Sequence, residues 1–221
     1  MKKNNRKTNG NTWLIPARPI TFLLLLLALL FFFSIAWSVF VYRGIYYDEK
    51  LFSLISLYTT ESRTYFIRLI TFLGDHEFLI PANLILIFYF LIKKNKPLAL
   101  IVTITALSSL GLMSLLKNIF RRHRPEQPLI DGITNFSFPS GHAFMSVAFY
   151  GLLIWLAAIS ITNKRFRRII IGMLLLLILA IGFSRIYLRV HYTTDVVAGF
   201  CMGFTWLISC LLPGNKAMQE K

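Results

Sequence analysis

Six apolar runs decide what this chain can fold into. They cover residues 20–42, 73–92, 98–116, 142–161, 169–187 and 195–212. A helix of about 20 predominantly apolar residues spans the hydrocarbon core of a bilayer. The expectation is an all-α, six-transmembrane-helix bundle over residues 20–212, flanked by a basic N-terminus (1–19) and a short polar tail (213–221), with no separate soluble domain. The first run exceeds the apolar core of a signal peptide, which is about 7–15 residues, and is read as a retained span. Cys201 and Cys210 both lie in the last run. On one helix they stand roughly 13 Å apart, beyond disulfide reach, so they are packing residues and say nothing about redox compartment.

The stretch 43–68 is mixed in character. Its apolar residues, among them Leu51, Leu54, Ile55, Tyr58, Tyr65 and Phe66, fall near helical spacing. That pattern fits an amphipathic segment on the membrane surface or a loop packed over the bundle.

Charge sets the expected orientation. Of the 24 Lys and Arg residues, fourteen fall on the side of the termini and ten on the other. Eight of the nine acidic residues share the second side, leaving net charges of +13 and +2. The positive-inside rule then puts both termini in the cytoplasm. In a soluble protein a net charge of +15 would point to nucleic acid; here topology accounts for it, and no nucleic-acid partner is expected.

Unusual chemistry collects at the outward ends of runs three to six. Lys117 ends the third, and Arg124-Pro125 follows in the loop. Pro139-Ser140-Gly141-His142 opens the fourth, Ser184-Arg185 closes the fifth, and His191 and Asp195 straddle the start of the sixth. Alternating spans place all four ends on one face. Three cations and a helix N-terminus select a polyoxygen anion, and phosphate fits both the arginine fork and the lysine point charge. Only Glu126, Asp131 and Asp195 offer carboxylates in these loops, too few for a two-metal phosphatase site. No metal or other cofactor is therefore expected. His191 and Asp195 are four residues apart; if helical geometry reaches back to His191 they share a face, and the carboxylate can orient the imidazole. One of His142 and His191 can attack phosphorus while the other protonates the leaving oxygen, and spacing alone leaves the assignment open.

Lys117 through Pro125 reads KxxxxxxRP, residues 139–142 read PSGH, and Ser184 through Asp195 reads SRxxxxxHxxxD. Together these resemble the three signature motifs of the type 2 phosphatidic acid phosphatase superfamily, the lipid phosphate phosphatases, in its integral-membrane bacterial branch. The resemblance implies that His191 is the nucleophile of a phosphohistidine intermediate, oriented by Asp195, and that His142 is the general acid. It implies that Lys117, Arg124 and Arg185 bind phosphate, with Ser140, Gly141 and Ser184 adding hydrogen bonds. Arg121, Arg122 and His123 fill variable positions and are expected to be solvated or near lipid headgroups; no role is assigned to His76.

The function expected is a metal-independent lipid phosphatase in the cell (inner) membrane, with its active site on the outer face. Phosphatidic acid, phosphatidylglycerophosphate and undecaprenyl diphosphate are the candidate substrates. A lipid phosphotransferase of the same fold is the first alternative; a vanadate-dependent oxidase is disfavoured by the membrane architecture. A non-catalytic anion transporter or lipid-binding protein suits the basic residues but not the spacing of His191 and Asp195. Oligomeric state is not legible.

Overall fold

The computed structural model describes residues 19–41, 45–133 and 135–219 of the chain. The basic N-terminal residues 1–18 lie outside them. Eight helices follow in order: α1 (Pro19–Val41), α2 (Ile45–Ser56), α3 (Glu61–Phe72), α4 (His76–Ile92), α5 (Lys96–Phe120), α6 (Gly141–Ser160), α7 (Lys164–Tyr187) and α8 (Thr193–Gln219). There is no strand among the described residues. Six helical stretches are long and apolar enough to cross a membrane, with α3 and α4 counted as one stretch, Glu61–Ile92.

The expected second span begins three residues later than its apolar run. Leu73, Gly74 and Asp75 break the helix, and the Asp75 carboxylate caps α4 by accepting the Glu77 amide at 3.1 Å. The mixed stretch forms α2 and α3, both packed against the end of α7. Thr60 caps α3 and donates its amide to the Tyr187 hydroxyl at 3.3 Å. At the other end of the chain the helix runs on to Gln219, past the apolar limit at 212. Polar residues end a membrane window without ending a helix.

Helix α6 is the axis of the bundle. Most of its span is buried (61%), against 11% for α1 and for Glu61–Ile92, whose large apolar side chains face outward as a lipid-exposed surface does. Between α6 and α8 the contact is close because α8 carries Gly199 and Gly203, one turn apart. A Cβ at Gly199 would stand 2.7 Å from the Ser140 carbonyl, and one at Gly203 2.8 Å from that of Phe144. In lipid, helices associate through such close van der Waals packing rather than through a hydrophobic drive. This contact places the beginnings of α6 and α8 side by side: the Ser140 amide donates to the Asp195 carbonyl at 2.9 Å.

Candidate active site

The loop joining α5 to α6 is held from both sides. Phe138 is fully buried, with its ring centroid 5.0 Å from that of Phe120 and 5.8 Å from those of Phe32 and Phe40. The Ser137 amide donates to the Arg122 carbonyl at 2.8 Å. Across from it, the link between α7 and α8 folds back so that the amides of Val190 and His191 both point at the Arg185 carbonyl, at 3.2 and 3.3 Å. Arg189 takes a positive φ of 59° in this turn.

These two loops and the ends of α4 to α7 surround a cavity of about 1050 Å³, lined at its inner end by Lys117, Arg124, Gly141, His142, Arg185 and His191. The structure therefore gathers one surface from all three sequence motifs. Lys117 Nζ donates to Asn135 Oδ1 at 3.0 Å and to the Phe136 carbonyl at 2.8 Å. Arg124 donates to the carbonyls of Asn135 (2.7 Å) and Val190 (2.5 Å), and its Nη1 lies 3.2 Å from His191 Nε2. Arg185 donates to Thr71 Oγ1 at 2.7 Å. Arg185 Nε and Ser140 Oγ are buried without a hydrogen-bond partner among the described residues, and His142 Nε2 faces only the Asp75 carboxylate, at 3.4 Å. Buried polar atoms are rarely left unpaired; Arg185 lines the cavity, so its free Nε is a donor available to a polyoxygen ligand there.

Ser184, like Ser140 and Asp195, does not line the cavity; its buried hydroxyl donates to the Ile181 carbonyl at 2.6 Å, within its own helix.

His191 precedes α8 rather than lying on it, so the helical spacing envisaged from the sequence does not apply. The turn nevertheless brings His191 Nδ1 to 3.6 Å from Asp195 Oδ2. Asp195 sits in the first turn of α8, where it accepts the Tyr192 amide at 2.9 Å, as a carboxylate does in a capping box. Between the two side chains stands Ser137, whose Oγ donates to Asp195 Oδ2 (2.5 Å) and lies 3.2 Å from His191 Nδ1. Burial, then the positive charges of Arg124, Arg185 and Lys117 and the nearby His142, hold the His191 imidazole well below the usual histidine range. It is neutral at pH 7. Burial also lowers Arg124, partly offset by Asp195, to about 10, which leaves it charged.

Arg122 is a correction to the sequence reading. It is neither solvated nor free for a headgroup: its guanidinium donates to Asp195 Oδ1 at 2.5 Å and to Asp48 Oδ2 at 2.9 Å, and packs 4.2 Å from the centre of the Tyr192 ring. Burial alone would lower its pKa, but Asp195 and Asp48 together raise it. Asp48, in α2, also accepts from the amide and hydroxyl of Thr194. Asp75 was equally unmarked in the sequence, yet its Oδ2 stands 3.4 Å from His142 Nε2. Asn135, Ser137, Asp48 and Asp75 belong to no spacing pattern within one element; only the fold brings them to the site. Among the described residues no three His, Cys, Asp or Glu side chains group as metal ligands.

The chain is 31% identical over 141 residues to phosphatidylglycerophosphatase B of Bacillus subtilis strain 168, in a match covering 61% of this chain and 66% of that protein, just under two thirds of its length. Its fold superposes on the crystal structure of a transmembrane PAP2-type phosphatidylglycerolphosphate phosphatase from Bacillus subtilis, with a TM-score of 0.77 at 24% identity, covering 89% of this chain and 96% of that one. A second crystal structure, Aquifex aeolicus LpxE, aligns with a TM-score of 0.53 at 29% identity over 73% of this chain and 93% of that one. Residues 97–218, which carry every motif described above, match the PAP2 superfamily model, and the chain belongs to that superfamily.

Proposed function

We propose that the protein is a membrane lipid phosphatase that hydrolyses a terminal phosphate through a phosphohistidine intermediate. The observation that carries this reading is the continuity of one cavity. Its inner end holds two imidazoles and three cations; from there it follows the groove between α4 and α5 past Met113, Leu110, Ala106 and Leu84 to Thr103. Lys117 and Thr103 stand roughly 21 Å apart along α5. A phosphate at one end and an acyl or prenyl chain in the groove fit that shape.

Chemically, His191 Nε2 attacks phosphorus and the bond from phosphorus to the lipid oxygen breaks. The departing oxygen takes a proton from His142. Water then attacks the phosphohistidine, His142 takes its proton back from that water, and the phosphorus–nitrogen bond breaks to release inorganic phosphate. Lys117, Arg124 and Arg185 hold the equatorial oxygens, where preorganised charge acts most strongly. Ser140 Oγ and the Gly141 amide add donors at the start of α6. The metal ligands of a two-metal phosphatase have no counterpart in this scheme.

Among lipid substrates, phosphatidylglycerophosphate stands first by similarity to the Bacillus relatives, with phosphatidic acid and undecaprenyl diphosphate behind it. The charge asymmetry supports a bacterial inner-membrane protein with cytoplasmic termini and the site facing outward. The test is phosphate release from these three lipids by detergent-purified protein in EDTA. Activity that EDTA abolishes and metal restores would refute the metal-independent mechanism, and full turnover by His191→Ala would refute the nucleophile assignment.

A further inference from the structure

In the site reading above, Asp195 orients His191. The distances describe a less direct arrangement. Asp195 Oδ2 is 3.6 Å from His191 Nδ1, longer than a hydrogen bond between nitrogen and a carboxylate, about 2.7–2.9 Å when charge-assisted. Ser137 Oγ fills the gap, at 2.5 Å from the carboxylate and 3.2 Å from the ring nitrogen. All three residues are buried, with at most 1% exposure.

A hydroxyl has one proton and two acceptor lone pairs. Asp195 is acceptor-only when ionised, and its other oxygen is bound by Arg122. The proton of Ser137 therefore belongs to Asp195, and Ser137 Oγ can only accept from His191. That requires the proton of the neutral imidazole to sit on Nδ1. The other ring nitrogen, Nε2, is then unprotonated; it lies 3.2 Å from Arg124 Nη1, beside the cavity.

We propose that Ser137 is a positioning residue that sets the tautomer of His191, relaying the charge of Asp195 to Nδ1 and leaving Nε2 as the nucleophilic nitrogen. The relay also serves the intermediate. Once Nε2 carries the phosphoryl group and Nδ1 keeps its proton, the ring is cationic, and the hydroxyl passes the carboxylate's stabilisation to it. Ser137 is well placed for such a role because it is held at two points: its own amide donates to the Arg122 carbonyl, and the adjacent Phe138 is wedged among three rings.

The inference rests on His191 being the nucleophile, so the experiment carries that control. Turnover is compared for wild type, His191→Ala, Ser137→Ala and Ser137→Thr in detergent. In parallel, ¹⁵N spectra of histidine-labelled protein are recorded, and the His191 signals are those missing from the His191→Ala variant. The expected result is a wild-type His191 protonated on Nδ1. Ser137→Ala lowers kcat about 10- to 100-fold with KM nearly unchanged, the size of effect seen when a histidine loses the partner that orients its ring from behind, and its His191 signal becomes a tautomer mixture. Ser137→Thr, which keeps the hydroxyl, recovers part of the loss. A wild-type His191 protonated on Nε2 overturns the proposal, and so does a Ser137→Ala variant with wild-type kcat while His191→Ala is inactive. Activity in His191→Ala would instead bring down the nucleophile assignment itself. If Ser137→Ala does not fold, the wild-type tautomer alone decides.

Discussion

The amide of Ser140 donates to the carbonyl of Asp195 across the contact between α6 and α8. This bond ties the start of one helix to the residue on another whose carboxylate faces His191. It exists because Gly199 lets the two backbones approach: a Cβ there would meet the Ser140 carbonyl at 2.7 Å and the Ala143 Cβ at 3.0 Å. Neither neighbour is the free end of a flexible side chain, so the helices themselves must move.

Gly199→Ala is accordingly expected to separate α6 from α8. The cost of overpacking is about 1–3 kcal/mol, and phosphate release should fall more steeply than stability because Ser140 and Asp195 move apart. Thermal unfolding in detergent, alongside turnover, measures both. An Ala variant with wild-type turnover and midpoint would show that the helices do not depend on this approach.

Arg122 joins two buried carboxylates, Asp48 and Asp195, whose side chains are fully inaccessible. Replacing it with alanine strands both charges. Breaking a buried ion pair from one side costs about 3–5 kcal/mol, so Arg122→Ala should fold poorly and be inactive. Adding Asp48→Asn removes one stranded charge and should recover part of the folded yield without restoring turnover. The yield of monodisperse protein in detergent tests this pair.

His142→Ala should show a loss that depends on the leaving group. With a lipid alcohol as leaving group the expected fall in kcat is about 10²- to 10⁴-fold, the range of a general acid. With p-nitrophenyl phosphate, whose leaving group needs no proton, it should be much smaller. Equal losses on both substrates would remove His142 from the role of acid.

Acid should inactivate the enzyme by destabilising it rather than by titrating the folded His191. The folded imidazole has a pKa well below its ordinary value, whereas the unfolded chain titrates near the ordinary value of about 6.5. Below that pH the unfolded state binds a proton that the folded state refuses. The contribution is fully present above pH 6.5 and is lost progressively as pH falls toward the folded pKa. Unfolding midpoints measured from pH 7.5 to 5 should decline, and His191→Gln should decline less. An acid limb of wild-type kcat/KM that follows an ordinary histidine pKa while the unfolding midpoint stays flat over the same range would contradict the assignment.

The groove along α5 should distinguish chain lengths. Ala106→Trp introduces a large ring among the groove-lining residues, far from Lys117. Turnover of long-chain phosphatidic acid is expected to fall by about tenfold or more, while a short, water-soluble phosphate ester is unaffected. Equal effects on both would place the lipid chain elsewhere.

The helical class, the six crossings and the charged end of the bundle were legible in the sequence because hydrophobic run length is a local property with a physical yardstick, the bilayer thickness. The three motifs could be read because each is a short stretch at helix ends with fixed internal spacing. The Gly199–Gly203 pair was legible in principle, since close helix approach in lipid needs small residues one turn apart.

What the tertiary structure alone decided is how those ends are wired. Ser137, Arg122, Asp48, Asn135 and Asp75 reach the site from separate elements, and their partners lie far away in the chain. Nothing periodic marks such residues, because a hydrogen bond across the bundle depends on how the helices and loops pack. The sequence by itself determined which groups stand at the ends of the apolar helices. Packing decided that Asp195 meets His191 through a serine hydroxyl, since a 3.6 Å gap and a single proton are properties of an arrangement, not of a motif.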